Sequence, residues 1–147
     1  MHEASFEETL EQILASHPQY PRDAYLFVRE ALDHTQKNIT KGGRVQVRHV
    51  TGQELLEGIR DYALQQFGPM AKTVFEEWNI RACRDFGEIV FNMVESGMLA
   101  KTERDSIRDF EGGYDFDDAF RKPFLPPSKL ASERLAPPAA IKSGGGA

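Results

Sequence analysis

Four cations, Lys37, Lys41, Arg44 and Arg48, fall in a stretch with no acidic residue between Lys37 and Val50. With His49 beside them, they are the side chains best suited to meet phosphate or an acidic protein surface. Phosphate binding draws on Lys and Arg that displace condensed counterions, so engagement of all four predicts a log–log salt slope of about −4. Arg81 and Arg84 are the next candidates, because they precede a helical pattern and would extend a positive face. No aromatic residue is interleaved with the run, which speaks against stacking on single strands. A solvated loop is the competing reading of the same residues.

Other chemistry is sparse. The four His (His2, His17, His34, His49) are scattered and form no HExxH pattern, and Cys83 stands alone. One Cys excludes an internal disulfide and a Cys-based zinc site within one chain. Flanking by Arg81 and Arg84 would lower the Cys83 thiol pKa, whereas a structural role would leave the thiol inert. The sequence holds no P-loop, G-x-S-x-G or G-x-G-x-x-G. Asp105, Asp109, Glu111, Asp115, Asp117 and Asp118 cluster in sequence but lack the calcium-loop pattern, so they read as a solvated face rather than a metal site. No cofactor is expected.

Composition sets the frame. The chain has 147 residues, a net charge of −5 and 40% apolar residues, with ten Phe. That is one domain's worth of chain, with an aromatic-rich core. An acidic protein has no general attraction for phosphate or anionic membrane, so either role needs a local basic patch. The N-terminus lacks the apolar run of a secretory signal, and no run approaches the ~20 residues of a membrane helix. The expected location is the cytoplasm, with no membrane partner.

The elements follow from capping and periodicity. Ser5 to Glu8 reads as a capping box, with Phe6, Leu10, Ile13 and Leu14 on one face and Pro18 as the stop. Pro21 opens a second helix whose stripe is Ala24, Val28, Ala31, Leu32 and Thr35, thickened by Tyr25, Leu26 and Phe27. Residues 36–50 form a basic loop or a short strand over 44–48. Thr51 to Glu54 is a second box, followed by Leu55, Leu56, Ile59, Ala63 and Phe67. Gly68-Pro69 separates this helix from one carrying Val74, Phe75 and Trp78, with Asn79 as a left-handed cap. Asp85 to Glu88 is a third box. It leads into Phe86, Ile89, Val90, Met93 and Val94, with Gly97 as the stop. Residues 98–102 and 106–110 read as the strands of a hairpin. Tyr114, Phe116 and Phe120 fold back as apolar anchors.

The expected fold is therefore mainly α with a small β-hairpin. An N-terminal helical pair (5–35) precedes a winged-helix-like unit of three helices plus a wing (51–120). The globular domain spans 1–120. Residues 121–147, which hold five of the eight prolines, read as a disordered tail. A winged helix presents its third helix to the DNA major groove. Here that helix carries Asp85, Glu88, Asn92 and Glu95 outside its stripe, and residues 101–120 hold seven acidic side chains against three basic ones. That surface repels phosphate.

The segments Tyr20 to Tyr25, Arg48 to Ala63, Phe67 to Val74 and Asp85 to Asn92 together resemble a family of small uncharacterised proteins from planctomycete and verrucomicrobial bacteria. The likeness spans about residues 6–120. It implies a bacterial cytoplasmic protein and transfers no catalytic residue.

The leading expectation is a non-enzymatic interaction or adaptor protein with an unidentified protein partner. A nucleic-acid binder using residues 37–49 is the alternative. A small hydrolase or thiol enzyme using His49 or Cys83 is a third class.

Overall fold

The computed structural model describes residues 6–41, 50–99 and 107–126. Within them the chain forms five α-helices: α1 (Phe6–Ser16), α2 (Arg22–Lys41), α3 (Gly52–Phe67), α4 (Ala71–Glu77) and α5 (Cys83–Glu95). Short helical turns follow at Ile107–Phe110, Asp117–Arg121 and Lys122–Phe124.

Helix α1 buries Leu10 and Ile13, carries Glu7 and Glu8 in its first turn and ends before Pro18. Acidic side chains there meet the positive end of the helix dipole. Arg22 ion-pairs with Glu7 and Glu11 and closes the helical pair. Helix α2 buries Ala24, Tyr25, Phe27, Val28 and Ala31, a spread wider than a single stripe. It continues past Thr35 to Lys41, beyond the apolar pattern. Exposed side-chain pairs one turn apart support that extension, Asp33 with Lys37 at 2.9 Å and His34 with Asn38 at 3.1 Å.

The Thr51 box is present in both directions. The Glu54 amide donates to Thr51 Oγ1 at 3.1 Å, and the Thr51 amide donates to Glu54 Oε1 at 3.0 Å. Asn79 adopts φ 63° as the left-handed residue after α4, and its side-chain amide donates to the Gln19 carbonyl at 3.2 Å.

The Asp85 box is placed differently from expectation. Helix α5 starts at Cys83 with Ala82 as its cap residue, so Asp85 lies inside the first turn. Its Oδ2 accepts the Arg81 and Ala82 amides at 2.8 and 3.1 Å, and its Oδ1 accepts the Tyr20 hydroxyl at 2.6 Å. One carboxylate thus satisfies amides at the helix entry and ties the α1–α2 turn to α5. Asp85→Ala removes all three bonds. The expected loss is about 2 kcal/mol, read in urea as a lower midpoint with an unchanged m value. An unchanged midpoint would show that Asp85 does not hold this junction.

The expected hairpin wing is not found: among the described residues there is no strand. Met98 and Leu99 lie in a bend after Gly97, and Ile107–Phe110 is a 3-10 turn rather than a returning strand. An isolated two-stranded hairpin is marginal in water, and this segment has a better use. The turn drives the Phe110 ring into the junction of α3 and α5, where it is buried. Glycines open that site, since a Cβ at Gly87 would lie 2.9 Å from Phe110 and one at Gly52 would lie 3.2 Å from its ring. Beyond it, the Tyr114 hydroxyl donates to the Leu56 carbonyl at 2.8 Å, while Phe116 and Phe120 are buried against Phe75. The described turn Ile107–Phe110, expected as a strand of the wing, seals the core.

Helix α5 packs on the N-terminal helical pair. Glu88 and Asn92, which lie outside its apolar stripe, are bonded inward, while Glu95 stays exposed. Glu88 lies 3.2 Å from the Tyr20 hydroxyl, and the Asn92 amide donates to the Tyr25 hydroxyl at 2.9 Å. This face of α5 binds the N-terminal helical pair and is closed to a DNA groove. Ser5, the strand read over 44–48 and residues 100–106 lie outside the described residues.

Candidate functional site

Of the charged candidates whose side chains are described, Lys37 and Arg84 are paired with carboxylates of the same fold. Lys37 is 75% exposed on α2, with Nζ 2.9 Å from Asp33 Oδ2. Lys41 is the last residue of α2, and its side chain lies outside the described residues, as do Arg44, Arg48 and His49. The Arg81 side chain is exposed, and its amide is held by Asp85. Arg84 is ion-paired with Glu88 and Glu111. The positive face expected from Arg81 and Arg84 is thus partly neutralised by neighbouring carboxylates.

The acidic residues are also bonded locally. Asp115 accepts the amides of Asp117 and Asp118 at 3.0 and 3.2 Å. Asp117 takes both ends of the Arg121 guanidinium at 2.7 and 2.8 Å, which holds its carboxyl below the usual range. Asp118 pairs with Lys122 at 2.9 Å. Among the described residues no group of three or more His, Cys, Asp or Glu is placed to hold a metal ion. The basic residues just after the acidic run explain this, because each forms an ion pair one turn back.

Cys83 is 4% exposed. Its Sγ accepts the Tyr114 amide at 3.4 Å and lies 3.5 Å from the Tyr114 carbonyl. Burial pushes the thiol above its ordinary value, and the Tyr114 amide only partly offsets this. The lowering expected from Arg81 and Arg84 does not prevail. A disulfide reagent at pH 8 is therefore expected to label Cys83 far more slowly in the folded protein than in urea. Equal rates in the two states would place the thiol at the surface instead.

One polar constellation had no signal in the sequence. His34 Nε2 lies 2.7 Å from Asp61 Oδ2, between α2 and α3, with the Tyr62 ring 5.2 Å from the imidazole. Tyr62 in turn donates to Glu30 at 3.0 Å. His34 and Asp61 are 27 positions apart, so only the packing of α2 on α3 brings them together. Among the described residues no nucleophilic side chain is bonded to this pair, and its bonds cross-link the two helices.

An apolar concavity lies elsewhere. A groove of about 310 Å³ runs between α2, the start of α3 and α5. Leu32, Val90, Phe91, Val94, Met98 and Leu99 line it and are only partly buried, with Gln36 and Thr51 as polar neighbours. Phe110 forms its floor. Helix α5 explains the groove. Phe86, Ile89 and Met93 fill the core, which leaves Val90, Phe91 and Val94 as a second apolar stripe. The sequence holds that signal, since Phe91 between Val90 and Val94 makes α5 apolar over more than one face. The packing decides which stripe goes inside.

No family model, no curated protein and no solved structure matches this chain.

Proposed function

We propose that this protein is a non-enzymatic, cytoplasmic interaction protein, and that the groove between α2 and α5 receives apolar side chains of a protein partner. The partly buried lining of Leu32, Val90, Phe91, Val94, Met98 and Leu99 carries this reading. Removing such side chains from water is the main driving force of association, and the energetic centre of an interface is typically apolar and depleted of charge. Among the described residues that line the groove there is no Lys or Arg, so this part of its lining suits apolar anchors better than phosphate.

The test places a benzoylphenylalanine photo-crosslinker at position 91 of the full chain in its native host. Irradiation is expected to join it to a single protein species. That species, purified, should bind the wild-type chain directly and lose at least about tenfold in affinity, about 1.4 kcal/mol, for Val94→Arg. Circular dichroism and thermal melting establish that the Val94→Arg chain is folded. Adducts confined to the chain itself, or to nucleic acid, would overturn the reading. So would binding that ignores the Val94 substitution.

A further inference from the structure

We draw no further inference here: the strongest candidate, the polar cleft between α2 and α3 where His34 meets Asp61 beside Tyr62, carries nothing because His34, Tyr62 and Lys37 are bonded to Asp61, Glu30 and Asp33 of the same fold and no observation there points to a ligand.

Discussion

Phe75→Ala is expected to lower the unfolding free energy by about 3–5 kcal/mol. Phe75 is fully buried. Its ring lies 5.2 Å from those of Phe86 and Phe120, 5.4 Å from Phe27, 5.8 Å from Phe116 and 6.0 Å from Trp78. These residues come from α2, the position just after α4, α5 and the segment 116–121. A cavity at this point would therefore be lined by separate elements that cannot all relax into it, and incomplete collapse is what makes a cavity costly. Edge-to-face geometry adds further stabilisation beyond area burial. Many domains this size have only 5–15 kcal/mol in total, so the variant is expected to melt much earlier or to stay partly unfolded. Met70→Ala is the control: Met70 is 56% exposed, and its replacement is expected to stay within about 0.5 kcal/mol. A loss below about 1 kcal/mol for Phe75→Ala would mean that the aromatic cluster is not packed as described.

Gly58→Ala is expected to destabilise by about 3 kcal/mol, although alanine is the better helix former by up to about 1 kcal/mol. Gly58 lies on α3 where it crosses α2. A Cβ there would land on Thr35 Oγ1, far inside contact distance, and 2.8 Å from Thr35 Cβ. Thr35 has little room to yield, because it is buried and its hydroxyl donates to the Ala31 carbonyl at 2.7 Å. The added methyl must therefore push the helices apart. A double-mutant cycle reads this directly. Thr35→Ala removes Oγ1 and Cγ2 but leaves the close Cβ, so it should recover part of the loss, with a coupling of about 1 kcal/mol or more. Strict additivity, or a more stable Gly58→Ala protein, would contradict the close approach of α2 and α3.

The helical grammar was legible from residues one to four positions apart. Thr51 and Glu54 form their reciprocal cap, Asn79 takes the left-handed conformation, and Gly97 follows α5 with φ 83°. These features depend on local hydrogen bonds and backbone sterics, and a sequence displays both directly. The expected anchors Phe116 and Phe120 are buried, and Tyr114 packs against the core. The hairpin expected from the turn at 103–105 gives way because Phe110 gains more by entering the gap above Gly87. Asp85 reads as a helix cap because its carboxylate does bond amides at the helix entry, whereas its bond to the Tyr20 hydroxyl spans 65 positions and has no local signal.

The candidate site divides along the same line. Cation positions are plain in the sequence, but their neutralisation is not: Arg84 meets Glu111 only after the chain passes α5 and turns at 107–110. His34 gains its Asp61 partner, and Val90, Phe91 and Val94 become a groove wall, only through the pairing of helices. The sequence by itself determined the Thr51 cap and the Asn79 and Gly97 stops, that the core is aromatic, and that familiar catalytic motifs are missing. The tertiary structure alone decided which apolar stripe of α5 is buried, which charges are paired, and that the segment after α5 closes the core instead of forming a wing. Local preferences act over one helical turn, whereas burial is shared among elements distant in the chain. When several apolar faces compete for one interior, only their joint packing selects which of them stay at the surface.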